Sequence, residues 1–374
     1  MTLHARQWLD RIHALAPPGR VRVMNVCGGH ERSITMAGLR SLLPANVELI
    51  PGPGCPVCVC PEEDLYDAIQ LALTQPVTLV AFGDMLRVPV NAPRREPRSL
   101  EQARSRGADI RPIASPAQAL ALAVHQPDRP VVFFATGFET TTAPVAALLA
   151  QGIPDNLFIL LTGRRTWPAV ETLLTAGDVD LQGLIAPGHV ATIMGPEEWT
   201  PAVERFDLPT AVAGFEPASL LAALYSVLRQ QAEGRRFVDN CYAAVARPGG
   251  NPRARACLEQ TMDVTAARWR GIGTIAASGF TPKGAWRRHD ARVQLMGEDT
   301  PRRRIGEMPP GCDCARVVTG RIYPNECYLY GRACTPRTPV GPCMVSDEGA
   351  CRIWWAGGVR TSRARRPASA PAGS

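Results

Sequence analysis

The sequence predicts an α/β fold in which two lobes carry parallel sheets and an irregular, cysteine-rich region follows them. Short apolar runs of strand type alternate with amphipathic stretches of ten to fifteen residues, which is typical of β-α-β units. Glycine-rich and polar segments follow these runs, at the ends of strands where ligands collect in such sheets. The pattern changes after about Gly234, and from Cys312 onward cysteine, glycine and proline are dense while regular periodicity fades.

The predicted strands and helices alternate from Val21 onward. The strands are the runs VRVMNV, VELIPG, VTLVAFG, IRPIA, PVVFFATG, LFILLTG, LQGLIAPG and TAVAGFEP. The helices between them include EEDLYDAIQLALT, PAQALALAVHQ, APVAALLAQ and PAVETLLTAG, and a long helix ends with SVLRQQAEGRR. Because strands that alternate with helices form parallel sheets, we expect two such sheets.

The change of pattern along the chain predicts four parts. Residues 1–120 form a first α/β domain that carries the loops of Cys27, Cys55 and Cys58. Residues 121–235 form a second α/β domain, and residues 236–358 form the cysteine-rich domain. Residues 359–374 are predicted to be a basic disordered tail, because they combine arginine, alanine, serine and proline.

Composition restricts the function classes. The chain has 374 residues, of which 45% are hydrophobic, and no stretch approaches the roughly 18 uncharged apolar residues of a membrane span. The N-terminus lacks the apolar core of a secretory signal, so we expect a cytoplasmic protein without a membrane partner. Twelve cysteines in a reducing compartment indicate metal, cluster or redox chemistry. The net charge of +7 includes a basic tail, and 6% aromatic content disfavours nucleic-acid binding.

The first two cysteine groups follow the first two predicted strands. Cys27 stands in CGGHE, where two glycines permit a tight bend and His30 is a candidate base, hydrogen-bond donor or ligand. Taken alone, the motif favours a buried thiol beside a turn over a functional cysteine. Cys55 and Cys58 form a C-x-x-C pair at the start of a helix, which favours redox or soft-metal chemistry over half of a zinc site.

The third group consists of six cysteines within forty residues. They exceed the four ligands that one zinc ion or one four-iron cluster needs, and the excess allows four ligands beside a dithiol pair. A structural zinc site remains an alternative. The six are Cys312, Cys314, Cys327, Cys334, Cys343 and Cys351.

Eight segments together resemble a known family. CGGH, GPGCPVCV, GDMLRVP, GFETT, PGHV, GFEP, WRGIG and CTPRTPVGPCMVSDEGAC occur in this order between Val21 and Trp355. They are similar to the signature segments of the HypD family of nickel-iron hydrogenase maturation proteins. The resemblance implies a scaffold that assembles the Fe(CN)2CO unit with a small HypC-type chaperone and receives cyanide from a HypE/HypF complex. It also implies a four-iron four-sulfur cluster in the last domain.

The resemblance also implies roles for individual residues. Cys27, with His30 beside it, holds the iron that carries cyanide and carbon monoxide, and Cys55 and Cys58 are the redox pair of that site. Four of the C-terminal cysteines bind the cluster and the remaining two form the adjacent dithiol. The ligands are Cys312, Cys327, Cys334 and Cys351, and the dithiol is Cys314 with Cys343.

Five further motif residues are candidates for a cleft. Asp84 and Arg87 of GDMLR form either a structural ion pair or part of the cleft. Glu139 and Thr140 of GFETT lie where a strand turns into a helix, at the end of a sheet where ligands bind. His189 of PGHV follows a strand, and it is either a hydrogen-bonded structural residue or a ligand.

The chain departs from the family pattern at several positions. Glu31 and Arg32 stand where the family usually has a Thr-His pair. If that histidine assists in handling iron or cyanide, this chain either does so differently or relies on His30 alone. The segment VNAPRREPRSL after GDMLRVP also differs from the family and is predicted to alter a loop at a partner. Cys60, Cys241 and Cys257 lie outside the motifs and are predicted to be core thiols.

Two other functions remain compatible with the residues. A cytosolic iron-sulfur thiol-disulfide oxidoreductase would use the same cysteines on a protein substrate. A zinc-binding adaptor would use the C-terminal cysteines for structure alone. The sequence leaves open whether the chain turns over as an enzyme, and it favours a maturation scaffold with redox activity.

Overall fold

The computed structural model of the chain describes residues 3–15, 18–93, 95–296 and 308–360. Eleven strands are present in this part of the chain. In order they are β1 (Val21–Asn25), β2 (Val47–Pro51), β3 (Thr78–Phe82), β4 (Ile110–Ile113), β5 (Val131–Gly137), β6 (Leu157–Gly163), β7 (Gly183–Pro187), β8 (Thr210–Ala213), β9 (Val238–Asn240), β10 (Met262–Trp269) and β11 (Gly273–Pro282). The predicted basic tail falls almost entirely outside the described residues.

Helices alternate with the strands over most of the chain. They are α1 (Leu3–Leu15), α2 (Gly28–Met36), α3 (Leu39–Leu42), α4 (Pro56–Val59), α5 (Glu62–Thr74), α6 (Leu100–Ser105), α7 (Pro116–His125), α8 (Glu139–Gln151), α9 (Thr166–Ala176), α10 (Gly188–Met194), α11 (Thr200–Phe206), α12 (Pro217–Ala232), α13 (Pro252–Thr261), α14 (Cys314–Val318) and α15 (Ala350–Ala356). Within the described ranges, no helix is long and apolar enough to cross a bilayer.

Two parallel sheets form the two lobes, which confirms the predicted α/β fold. The first sheet has the order β2-β1-β7-β8-β9 and the second has the order β4-β3-β5-β6. Strands β5 and β7 are buried along their whole length, as expected for parallel strands covered by helices on both faces. An antiparallel hairpin, β10 and β11, follows the sheets.

The sheets do not divide the chain at one position. The first sheet takes two strands from the N-terminal sixty residues and three from residues 183–240, whereas the second takes all of its strands from residues 78–163. The predicted boundary near residue 120 falls between β4 and β5, which belong to the same sheet. The division of the chain into domains stays a prediction.

In each sheet the strand order reverses at one point, because later strands are added on both sides of an earlier one. In the first sheet, β2 and β7 flank β1, and in the second, β4 and β5 flank β3. In open parallel sheets the crevice at the carboxyl ends of such strands is the usual place for a ligand. The cysteine-rich region packs onto this part of the molecule, because one hydrophobic core contains side chains of α4, the second sheet, α14 and α15.

Candidate metal-binding and redox site

Cys27 lies at the reversal point of the first sheet. It follows β1 and directly precedes α2, and the backbone N–H of Val26 donates to the carbonyl of Ile185 on β7 (3.1 Å). The loop after β2 runs alongside, because the N–H of Gly28 donates to the carbonyl of Gly54 (3.1 Å). A Cβ at Gly54 would lie 2.4 Å from the backbone nitrogen of Cys27, so only glycine permits this approach.

One small cavity brings the first two cysteine groups together. Its lining includes the side chains of Asn25, Cys27, Glu31, Cys55 and Glu348. Cys27 is half-buried, whereas Cys55 is 4% exposed. The loops after β1 and β2 therefore meet in one place, together with a carboxylate from the C-terminal region that the sequence analysis did not single out.

Burial and the nearby carboxylate of Glu348 raise the pKa of the Cys27 thiol. This pKa reaches about 12, and burial is the larger cause. Desolvation of the carboxyl group, although Glu348 as a residue is exposed, and the nearby charge of Asp84 raise the pKa of Glu348 to about 7. The close approach depends on Gly28, because a Cβ there would lie 2.5 Å from the Cβ of Glu348. The first glycine of CGGH is therefore required by the close approach of the Glu348 backbone and Cβ.

Asp84 joins the second sheet to this cavity. It follows β3, at the reversal point of its own sheet, and accepts a hydrogen bond from the hydroxyl of Ser346 (2.9 Å). Burial raises its pKa. Asp84 does not pair with Arg87, which instead donates to the carbonyl of Pro336 (3.1 Å). The segment from Ser346 to Glu348 thus bridges the carboxyl ends of the two sheets.

His30 is a neutral, fully buried side chain on α2. Its Nε2 lies 3.1 Å from the carbonyl oxygen of Ala213. Because a carbonyl only accepts, Nε2 carries the hydrogen and Nδ1 keeps its lone pair. Burial lowers the pKa of His30 to about 4. Its Nδ1 is buried without a hydrogen-bond partner among the described residues, so the ring retains a free lone pair for a ligand or donor.

Glu31 ties α2 to the C-terminal region. Its carboxylate accepts hydrogen bonds from Asn25 (3.0 Å), Arg40 (2.8 Å) and the indole of Trp354 (2.5 Å). Burial opposes its ionisation, but the charge of Arg40 and these hydrogen bonds hold the pKa of Glu31 below its usual value. The departure from the family pattern at this position therefore serves as a buried anchor between α2 and α15.

His189 and Phe215 cover the outer side of α2. The ring of His189 stacks on Phe215 with centroids 3.8 Å apart, and His30 lies 5.0 Å from the same ring. A Cβ at Gly29 would lie 2.9 Å from Phe215, which explains the second glycine of CGGH. His189 is exposed at this surface and does not line the cavity with Cys27.

Cys55 and Cys58 form a disulfide across α4. Both sulfurs are buried, and α4 packs against α14 and the short 3-10 helix Pro342–Met344. These two elements carry Cys314 and Cys343 of the C-terminal group. The disulfide thus lies between the Cys27 cavity and the C-terminal cysteines.

The C-terminal cysteines form a network of sulfur contacts. The sulfurs of Cys312 and Cys314 lie 3.2 Å apart, and Cys314 also contacts Cys343 and Cys351 through its side chain. The contact with Cys312 first, and then the contact with Cys351 and burial, raise the pKa of Cys314 well above its ordinary value, although the contact with Cys343 lowers it. Cys327 and Cys334 lie near enough to Cys312 for its charge to raise their pKa values, after the larger effect of burial.

The donor chemistry of this network suits an iron-sulfur cluster. Its members are all thiols, and the backbone N–H of Val340 points to the sulfur of Cys334 (3.4 Å). A Cβ at Gly341 would lie 2.4 Å from the sulfur of Cys312, so the backbone approaches the sulfurs closely. Across the described ranges, however, no group of three or more histidine, cysteine, aspartate or glutamate side chains is arranged to hold a metal ion, so the case for a cluster rests on the type of donor alone.

Two predicted cleft residues lie apart from the cavity. Glu139 begins α8 directly after β5, and its two carboxylate oxygens accept from the N–H and the hydroxyl of Thr166 (both 2.7 Å). Burial raises the pKa of Glu139 to about 7. Thr140 is half-buried beside it. Neither residue lines the cavity with Cys27.

The remaining thiols outside the motifs differ in burial. Cys60 is buried in the core, as predicted, and burial raises its pKa to about 11. Cys241 and Cys257 are half-buried and pack against two other hydrophobic cores.

Sequence reasoning missed Glu348, Phe215 and Asn25. Glu348 stands within the quoted segment CTPRTPVGPCMVSDEGAC and Phe215 within GFEP, so membership of these motifs could have marked both residues as candidates. Asn25 lies at the end of β1, its side chain lines the cavity, and its Oδ1 is buried without a described partner. The first strand run contained it, but nothing in the run distinguished it.

Comparison with known proteins identifies the family of the chain. A family model for HypD, described as the hydrogenase formation hypA family, matches residues 3–358. The chain belongs to the HypD family. The hydrogenase maturation factor HypD of Azotobacter vinelandii is 41% identical over 365 residues, covering 95% of this chain and 94% of the relative. That of Rhodobacter capsulatus is 41% identical over 361 residues, covering 94% and 93% of the two chains.

A more distant relative has the same description. The hydrogenase maturation factor HypD of Escherichia coli K12 is 37% identical over 344 residues, covering 90% of this chain and 88% of the relative. HypD proteins are hydrogenase maturation factors, and the match runs through both sheets and the cysteine-rich region. The family resemblance predicted from the motifs is confirmed.

Proposed function

We propose that the chain is the scaffold on which the Fe(CN)2CO unit of nickel-iron hydrogenase is assembled. Iron is held through Cys27 together with a small HypC-type partner, and a HypE/HypF complex supplies cyanide, in the cytoplasm. The observation that carries this proposal is that Cys27 shares one cavity with Cys55 and Glu348. A metal-binding thiol, a redox pair and a proton acceptor thereby meet.

The cavity has the residues that iron binding needs. Iron binds thiolate, yet a thiol with a pKa of about 12 is protonated at neutral pH. When the iron cargo binds, its positive charge favours the thiolate and the thiol proton must leave. Glu348, with a pKa of about 7, lies beside Cys27 and accepts this proton. The negative charge that appears on the Cys27 thiolate is thus matched by the loss of the negative charge of Glu348, so the proton transfer leaves the net charge of these two side chains unchanged.

The cysteine groups supply the redox chemistry in this proposal. Conversion of the Cys55–Cys58 disulfide to two thiols takes up two electrons and two protons. Cys314 and Cys343 form the dithiol next to α4, and Cys312, Cys327, Cys334 and Cys351 hold the four-iron four-sulfur cluster. The cluster supplies one-electron steps when it is bound. Backbone N–H groups such as that of Val340 stabilise thiolates there.

The disulfide also favours a thiol-disulfide oxidoreductase as a second candidate. However, Cys55 and Cys58 are only 4% and 1% exposed, so a protein disulfide cannot reach either sulfur without rearrangement. The sulfurs are better placed to serve the Cys27 cavity than an external substrate. We therefore favour a scaffold with redox activity over an enzyme that turns over a protein substrate.

Infrared spectroscopy tests the proposal. The protein is purified anaerobically with its HypC-type partner, and bands of iron-bound cyanide and carbon monoxide are expected. Cys27→Ala removes these bands and hydrogenase maturation, while Cys257→Ala, a half-buried thiol outside the cavity, retains both. Protein that lacks the bands and catalytically reduces disulfides would establish the oxidoreductase. Colourless protein with zinc and no iron would establish the zinc adaptor.

A further inference from the structure

An arginine-lined pocket lies on the surface beside the C-terminal sulfur network. It has a volume of about 520 Å³ and lies between the segment after β3, the start of α6 and the loop before Gly341. Among the described residues that line it are three arginines, Arg87, Arg98 and Arg337, and one acidic residue, Glu101. We name this the arginine pocket.

The three guanidinium groups carry uncompensated charge. Arg87 donates to the carbonyl of Pro336 (3.1 Å) and Arg98 to that of Ala92 (2.8 Å). In the part of the chain that the structure describes, none of the three forms an ion pair with a carboxylate. Because guanidinium groups bind carboxylates strongly, the pocket attracts an acidic ligand.

The inner wall of the pocket contacts the sulfur network. Val340 lines the pocket, and its backbone N–H points to the sulfur of Cys334 (3.4 Å). The next residue, Gly341, packs so closely on Cys312 and Cys314 that a Cβ would lie 2.4 Å and 2.6 Å from their sulfurs. A molecule in the pocket is thus separated from three of the six sulfurs by a single layer of backbone.

We propose that the arginine pocket docks an acidic segment of a one-electron carrier protein, which supplies electrons to the sulfur network. This inference rests on the redox part of the proposed function. Arg87 and Arg337 are exposed and project from separate loops, which suits carboxylates spread along a protein segment better than one compact anion. Prolines 89, 309, 310 and 339 give the pocket apolar walls that an extended segment can cover.

The electron balance is simple. In each encounter the carrier is oxidised by one electron and the cysteine-bound centre is reduced by one electron. Two such transfers, with two protons from solvent, convert one disulfide to two thiols. The arginines take no part in the electron transfer, since they hold the carrier against the backbone next to Cys334.

The test uses the full chain, purified anaerobically, and a pre-reduced acidic plant-type [2Fe–2S] ferredoxin as the probe. The pocket variant combines Arg87→Glu, Arg337→Glu and Arg98→Gln, the last because Arg98 is half-buried. The control variant combines Arg6→Glu, Arg253→Glu and Arg104→Gln, which makes the same change of net charge at exposed arginines outside the pocket. Ferredoxin binding and the rate of ferredoxin oxidation are measured across a series of salt concentrations.

At low salt we expect the pocket variant to bind ferredoxin more weakly than the wild type and to oxidise it at least about 10-fold more slowly. Both differences should shrink as the salt concentration rises. The control variant should stay within about twofold of the wild type. Dithionite, which needs no docking site, should reduce all three proteins alike. A pocket variant that oxidises ferredoxin normally would overturn the docking proposal alone. A wild-type protein that dithionite cannot reduce would overturn the redox function as well.

Discussion

The negative charge of Glu348 is predicted to suppress the reactivity of Cys27. Burial and this charge together raise the pKa of the thiol from 9.0 to about 12, with burial the larger cause. Glu348→Gln removes the charge and leaves the burial, so the pKa should fall by about one unit. At pH 8 the thiolate fraction then rises from about 1 in 10⁴ to about 1 in 10³. Because the thiolate is the nucleophile, alkylation should become about 10-fold faster.

Peptide mass spectrometry can follow this one thiol. Iodoacetamide is applied anaerobically to the metal-free protein, and trypsin then cuts after Arg22 and Arg32. The peptide over residues 23–32 contains Cys27 as its single cysteine, so its alkylated fraction reports the rate. The matched control is Asp347→Asn, which removes the carboxylate of the preceding residue; Asp347 is 79% exposed and, unlike Glu348, does not line the cavity with Cys27.

The pH dependence gives the reasoning a second test. The pKa of Glu348 is about 7, so its charge is present above that pH and lost below it. The acceleration by Glu348→Gln should thus be full at about pH 8 to 9 and fade below about pH 6. Equal rates for wild type and Glu348→Gln at pH 8, or the same acceleration in Asp347→Asn, would show that the carboxylate does not control the thiol.

Three further predictions concern packing, cluster binding and pH. Gly28→Ala should lower the free energy of unfolding by about 1–3 kcal/mol and weaken iron binding, because the added Cβ would meet Glu348. Gly19→Ala, whose Cβ meets nothing within 4 Å, should change neither quantity. Urea unfolding and metal analysis measure the two effects. Cys327→Ser should abolish the visible absorption of the iron-sulfur cluster while Cys257→Ser retains it, and equal absorption in both would exclude Cys327 as a ligand. The pKa of Glu139 is about 7 in the folded chain and 4.5 for an ordinary glutamate, so between these pH values the unfolded chain binds fewer protons and stability falls as pH rises. Relative to wild type, the free energy of unfolding of Glu139→Gln should therefore increase by up to about 3 kcal/mol between pH 5 and pH 8, as measured by urea unfolding. A difference that does not depend on pH would contradict the raised pKa of Glu139.

The sequence predicted the strands and the parallel sheets because these follow from local patterns. Apolar runs such as VVFFATG are buried along their length in parallel strands, and the loops after them carry the motif residues. The strand order was beyond such reasoning. The place of β7 beside β1 depends on crossovers between distant segments, for which the runs themselves hold no signal.

The candidate site shows the same division. The motifs located Cys27, Cys55 and Cys58, and their glycines indicated close packing of the backbone. They did not reveal what the glycines make room for, which is Glu348 at Gly28 and the Cys27 backbone at Gly54. The cleft prediction for Glu139 lacked this information too, because nothing in GFETT shows that Thr166 occupies both carboxylate oxygens.

By itself, the sequence determined the fold class, the identity of the chemistry-bearing residues and the family, because strand periodicity and motif order are properties of short segments. Only the tertiary structure decided that a carboxylate near the C-terminus lies against a thiol near the N-terminus, and that Glu31 is an anchor bonded to Trp354. The physical reason is that such contacts, and the pKa values they shift, depend on burial and on charges brought together by the packing of the whole core.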